Sequence, residues 1–381
     1  MKIRVFLVWA LCLLGLRAGD VPKNIILMIG DGMGVSQLTA GKIVKGTLNA
    51  ERLTVGGLVT TFSANALVTD SAAAGTALAT GHKTNNGMLS LSPDGKTLKT
   101  GGEYAKEQGK AVGLVVTCSL THATPAAFAS HVQSRKMDEA IAKQIAESDF
   151  DVLFGGGRAW FLPAPGDELP KELDKIPDAY GNKESSAGQR SDGVNLLDVL
   201  RKRMPVAETS DEFYDLGETD SAAALLYSLH PPAVTERSVT LAELTDKALQ
   251  ILSRDSDGFF LMIEGSQIDW AGHKNNKDWL ADEVVDFDNA IGQVMDFAEK
   301  HSDTLVIVTA DHETGGFAVH AGSVAENRVD AVDFTRGGHT AAMVPVFAYG
   351  PGSDAFGGII DNTEIGRTLI GLVSAENMSA H

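Results

Sequence analysis

Residues 24–34 read NIILMIGDGMG. The first half is an unbroken apolar run, and the second is a glycine-rich turn carrying one carboxylate, Asp31. A strand that is apolar at every position is buried on both faces, as in a parallel sheet, whereas a strand with one wet face alternates. Runs of the same character recur at 111–116, 152–154, 259–263, 304–308 and 344–349. Helical patterns lie between them. The clearest is Leu280, Val284, Phe287, Ile291, Val294 and Ala298, whose spacings of four and three put an apolar stripe on one helix face. Residues 137–146 and 240–252 also read as helices. This alternation predicts an α/β fold, a three-layer sandwich around a mostly parallel central sheet. Polar residues just past such strands converge on one edge of the sheet, where ligands bind.

Composition narrows the class. Lys2 and Arg4 precede an apolar run from Val5 to Leu16, and Ala18 and Gly19 follow. That run is short for a membrane span and has the pattern of a secretory signal peptide over residues 1–18, although Leu16 is large for the cleavage context. No later segment has the length and apolarity of a membrane anchor, so a periplasmic or secreted protein is expected, with residues 19–381 forming a single domain. Of the two cysteines, Cys12 leaves with the leader, and Cys118 reads as a small buried hydrophobe. The mature chain therefore has no internal disulfide and depends on its core. The formal charge of −18 falls to about −21 without Lys2, Arg4 and Arg17. Such a charge argues against sequence-specific nucleic acid binding and against anionic membranes. It makes an anionic substrate odd unless cations are bound where that substrate lands. Residues 163–193, with four prolines, read as a surface insertion.

The chemistry lies at the strand ends. Asp31 sits between glycines after the first run. EGSQIDWAGH, residues 264–273, brings Glu264, Asp269 and His273, the last two spaced to share one helix face and grip one ion. A carboxylate directly after a buried strand, as at Glu264, is costly unless paired or metal-bound. TADHETGG, residues 309–316, brings Asp311 and His312, and His339 stands just before the last run. Each has an ordinary reading as a turn or surface residue. Three histidines and four acidic residues delivered to one sheet edge suit zinc together with a harder ion such as magnesium. Earlier, VTDSAAAGTALATGHKT, residues 68–84, sets Ser71 before a run of very small residues. Two readings stand side by side there. One is a capped alanine-rich helix pressed against the sheet; the other is a nucleophile at a helix N-terminus, where free N–H groups favour phosphate.

Six segments, IGDGMG, TDSAAAGTALATG, THATPAAFASHVQSRK, EGSQIDWAGH, TADHETGG and GGHT, occur in this order across nearly the whole mature chain. Through them the sequence resembles the bacterial alkaline phosphatases, and is most similar to their compact, disulfide-poor branch from marine and cold-adapted bacteria. The resemblance implies that Ser71 is the nucleophile that becomes phosphorylated and that Arg135 clamps the phosphate. It implies one zinc on Asp269, His273 and His339. A second, beside Ser71, would lie on Asp31, Asp311 and His312, and a magnesium on Asp31, Thr124 and Glu264. The expected function is hydrolysis of small phosphate monoesters at alkaline pH by a homodimer. Two divalent ions about 4 Å apart suit an in-line displacement, and three such ions would draw a phosphate dianion despite the overall charge. Two neighbouring positions depart from the most studied form of the family, which has Asp where this chain has His122 and Lys where it has Trp270. Losing the lysine is expected to weaken the hold on phosphate and speed its release. His122 is either a direct ligand that admits zinc to the third site or a hydrogen-bonding support to it. Rival readings are a diesterase or sulfatase of the same superfamily and a catalytically silent metal-binding protein. Ser71 lacks the sulfatase context, and a metal store needs neither Ser71 nor Arg135.

Overall fold

The computed structural model describes residues 21–165, 175–177, 183–185 and 188–379. The segment read as a signal peptide lies outside the described residues, as does much of the proline-rich insertion. Ten strands form the central sheet. They are β1 (Asn24–Gly30), β2 (Val55–Thr60), β3 (Ala111–Ser119), β4 (Val152–Gly156) and β5 (Val206–Ala207). β6 (Ala222–Tyr227), β7 (Phe259–Gly265), β8 (Thr304–Thr309), β9 (Val344–Tyr349) and β10 (Gly358–Asp361) complete it. Their order is β10-β2-β9-β8-β1-β7-β3-β4-β6-β5, and only β9 runs against the others.

All six runs read from sequence are strands of this sheet. β1 and β7 are buried at every position, as continuous apolar runs require. The sequence reading missed β2, β5, β6 and β10, and the last strand is β10, not the run after His339. β2 opens with Val-Gly-Gly and is half exposed, β6 is rich in alanine, and β5 and β10 are short edge strands, so none carries a strong strand pattern.

Helices α1 (Val35–Lys45), α2 (Ser71–Thr80), α3 (Gly101–Glu107), α4 (Ala123–Ala129), α5 (Leu241–Leu252), α6 (Gln267–His273), α7 (Lys277–Ala298) and α8 (Asn362–Ser379) cover the sheet. They pack in two sets, α1, α5 and α7 on one side and α2, α3, α4 and α8 on the other, which makes the predicted three layers. The α7 stripe from Leu280 to Ala298 is buried throughout. Thr240 and Glu243 form a reciprocal cap at the start of α5. The helix read at 137–146 spans Asp138–Glu147.

Register sets the site. Ile29 lies level with Thr309 on β8 and with Glu264 on β7, and Glu264 lies level with Val116 on β3. The carboxyl ends of four adjacent central strands, β8, β1, β7 and β3, therefore finish together. The turn after β1 passes tightly beneath α6. Gly32 has φ +73°, and a Cβ there would lie 2.7 Å from Asp269 Cα. Its N–H donates to Asp311 Oδ1 at 3.1 Å. Gly32→Ala combines left-handed backbone strain with a clash against backbone, and should lower unfolding stability by about 2 kcal/mol or more. Denaturant unfolding measures this, and an unchanged midpoint would contradict the tight turn.

Candidate active site

Ser71 is the first residue of α2, and Asp70 is its N-cap, with Oδ1 accepting the Ala73 N–H at 3.0 Å. The other oxygen, Oδ2, accepts from Gly87 N–H at 3.0 Å and from Arg135 Nη1 at 3.2 Å. One carboxylate thus caps the helix and holds the arginine. The structure shows the capped, closely packed helix, and the same start of the helix holds Ser71. The alanines are buried, and a Cβ on Gly75 would lie 3.1 Å from the Ala127 side chain of α4. That close approach brings Thr124 of α4 to the site. Ser71 Oγ, in turn, faces His312 Nε2 at 3.2 Å.

Three histidines meet in front of Ser71 through their Nε2 atoms. His339 Nδ1 bonds the carbonyl of Thr69 at 2.9 Å, and His273 Nδ1 bonds that of Gly337 at 2.9 Å. A carbonyl only accepts, so both rings carry their proton on Nδ1 and turn an Nε2 lone pair into the site. These Nε2 atoms stand 3.2 Å apart, a separation that two lone pairs tolerate only with a proton or cation between them. Asp269 lies 3.3 Å from His273 Nε2 and 3.5 Å from His339 Nε2. His312 Nε2 lies 3.1 Å from Asp311 and 3.5 Å from Asp31. Two groups have metal-binding spacing here, Asp269 with His312 and His339, and Asp31 with Asp311 and His312. His273, expected in the first group, sits at its outer, more exposed edge.

The carboxylates are the costly feature. Asp31, Asp311 and Glu264 have no exposure, and both oxygens of Asp31, one of Asp311 and one of Glu264 have no hydrogen-bond partner of normal geometry. The hydroxyl of Thr124, also fully buried, has none either. Burying a carboxylate without donors costs several kcal/mol unless a cation compensates. Divalent ions therefore fit these residues in kind and place. Without a cation, burial and the neighbouring Asp311, Asp269 and Glu264 push Asp31 well above the usual carboxylate range. Burial likewise pushes Glu264 up to about 7, against the Ser266 hydroxyl, which favours the charged form. Burial would raise Asp269 too, but His273, His312 and His339 outweigh it and hold it low. His273 rises to about 9 through its bond to Asp269. Burial and the charge on His312 take His339 down to about 4.

His122 and Trp270 stand beside this cluster. Burial and then Arg135 hold His122 well below its ordinary pKa, so the ring is neutral, and Nε2 accepts from Arg135 Nη2 at 3.1 Å. Trp270 is buried, its ring edge-on to His122 at 5.9 Å and to His230 at 4.7 Å. Sequence reasoning missed several supporting residues. Thr314 bonds Asp269 Oδ1 and His312 Nδ1 together. Glu313 ties Gln37, the N–H groups of Gly316 and Phe317, and Thr340, next to His339. Both lie inside the TADHETGG segment, where polar residues after a buried strand were the available signal. Cys118 was read only as packing.

Glu264 has a stability consequence. Between pH 4.5 and about 7 the folded metal-free chain keeps a proton that the unfolded chain releases. The residue therefore erodes stability as pH rises through that window, and by a constant few kcal/mol above it. Glu264→Gln should raise the unfolding midpoint of the metal-free protein at about pH 8 and leave it nearly unchanged at about pH 4. An equal effect at both pH values would contradict this.

Known proteins resemble this chain over most of its length. The sequence model of the alkaline phosphatase family matches residues 22–330. The chain is 33% identical to alkaline phosphatase 3 of Bacillus subtilis, over 92% of this chain and 88% of that protein. The solved alkaline phosphatase of the Antarctic bacterium TAB5 is 37% identical, with TM-score 0.81 over 93% of this chain and 99% of that one. A histidine-to-aspartate variant of the TAB5 enzyme, with magnesium bound in its M3 site, superposes equally widely with TM-score 0.80. The cold-active enzyme of a psychrophilic Shewanella is 29% identical, with TM-score 0.78 over 92% of this chain and 99% of that one. The chain belongs to the alkaline phosphatase family and is an enzyme of that family.

Proposed function

We propose that the protein hydrolyses phosphate monoesters through a phosphoserine formed on Ser71. The observation that carries this is the placement of the Ser71 hydroxyl at a helix N-terminus, facing a cluster of buried carboxylates and outward-turned imidazoles, with Arg135 tied to the same cap. Asp269, His273 and His339 would hold one zinc, and Asp31, Asp311 and His312 a second. Asp31, Thr124 and Glu264 would hold a third divalent ion, at a position where the family resemblance implies magnesium in the relatives and where the TAB5 variant, in its M3 site, carries it. When bound, these ions supply positive charge that stabilises the attacking and leaving oxygens and lowers the pKa of the attacking group.

The chain's own residues do the rest. The free N–H groups and dipole at the start of α2 favour the phosphate anion beside Ser71. Arg135 presents a planar fork that matches two phosphate oxygens, a geometry lysine cannot copy. Asp70 holds that fork in place. Ser71 Oγ attacks phosphorus, the P–O bond to the leaving alcohol breaks, and that alcohol takes a proton. Water then attacks phosphorus from the opposite side, the bond to Ser71 Oγ breaks, and inorganic phosphate leaves. Among the described residues no helix is long and apolar enough to cross a membrane. Export as one catalytic unit, and pairing into a homodimer, are parts of the same proposal.

Metal content and p-nitrophenyl phosphate hydrolysis at alkaline pH test this reading on purified protein. Two zincs and a third divalent ion per chain are expected, with Ser71→Ala losing activity by about a thousandfold or more while retaining metal. Full activity in that variant would mean that another residue is the nucleophile, and metal without turnover in the wild type would favour the silent binding protein. Arg135→Lys should lower kcat/KM at least about tenfold, because the bidentate contact is lost. An unchanged value would remove Arg135 from the phosphate site.

A further inference from the structure

Cys118 lies in β3 with no exposure, and it does more than fill space. Its Sγ stands 3.4 Å from Glu264 Oε2 and 3.2 Å from the Ser119 carbonyl. The sulfur, a carboxylate oxygen of Glu264 and a ring nitrogen of His122 all lie within 4.8 Å of one another, a third group with metal-binding spacing. Independent of the thiol, Glu264 Oε1 and Thr124 Oγ1 are fully buried there without a hydrogen-bond partner of normal geometry. Tetrahedral zinc with bonds of about 2.3 Å to sulfur and about 2.1 Å to oxygen separates those two atoms by about 3.6 Å. The observed 3.4 Å is already close to that edge.

We propose that Cys118 is a direct ligand of the third ion, so that this site takes a soft divalent metal, zinc or cobalt, in preference to magnesium. The inference rests on the reading of Asp31, Thr124 and Glu264 as a third metal site. Magnesium demands near-octahedral oxygen ligation and gains little from sulfur, whereas thiolate selects zinc-class ions. On binding, the sulfur lone pair enters the coordination shell and the thiol proton passes to solvent, leaving the oxidation states of metal and sulfur unchanged. In the absence of metal the S–H donates to Glu264 Oε2, which also accepts from Ser266 Oγ at 2.7 Å, so the sulfur already lies beside that carboxylate.

Cobalt(II) titration of the full metal-free chain tests this without relying on turnover. Three equivalents are expected to bind, with a sulfur-to-cobalt charge-transfer band in the near ultraviolet growing with the third. Cys118→Ser should lose that band, keep the first two equivalents, and shift the third site's preference toward magnesium at least tenfold. Three bound cobalts without the band in the wild-type chain, or an unchanged band in Cys118→Ser, would overturn the role of Cys118 and leave the third site standing. Binding of only two cobalts would overturn the third site as well. The wild-type spectrum is decisive even should the variant fail to fold.

Discussion

The structure depends on a carboxylate it cannot stabilise by itself. Asp31 is wholly enclosed, and neither of its oxygens finds a donor. Asp311 and Glu264, equally enclosed, stand close enough to raise the cost further. Arg135, the arginine whose charge reaches Asp31, is engaged with Asp70 and His122. The described residues thus leave a local charge deficit of the kind that divalent ions, as proposed above, would make good. Cations held there would also let a chain with net charge −18 present the proposed anion-binding centre.

The deficit is assembled by the sheet. Four neighbouring parallel strands end in register, and each delivers its acidic or imidazole residue within a few residues of that edge. Rigidity comes from the apolar strands below, and precision from backbone carbonyls that fix the His273 and His339 tautomers. The close helix packing allowed by the alanines and Gly75 of α2, the helix that Ser71 begins, brings it against α4 at Thr124 and Ala127.

Much of this was legible in the sequence because the chemistry sits directly after patterned elements. β1, β7 and β8 are continuous apolar runs, and Asp31, Glu264, Asp269, Asp311 and His312 follow them, so strand recognition located the residues. The four missed strands lie toward the edges of the sheet and carry alanine, glycine or too few residues to show a period. The role of Cys118 was hidden for a different reason. A thiol in an apolar strand has the same local pattern as an alanine, and only the pairing of β3 with β7 brings it to Glu264. The ties made by Glu313 and Thr314 also span long sequence separations, which no local period reports.

Asp70 links two parts that could otherwise vary independently. Its two oxygens fasten the start of α2 and the guanidinium of Arg135, with the Gly87 backbone as a third tether. The start of α2, with Ser71, and the guanidinium of Arg135 are thereby tied to one another through a single carboxylate. A change that moved the α2 terminus would pull on Arg135 through the same carboxylate, so neither end of this link shifts without straining the other.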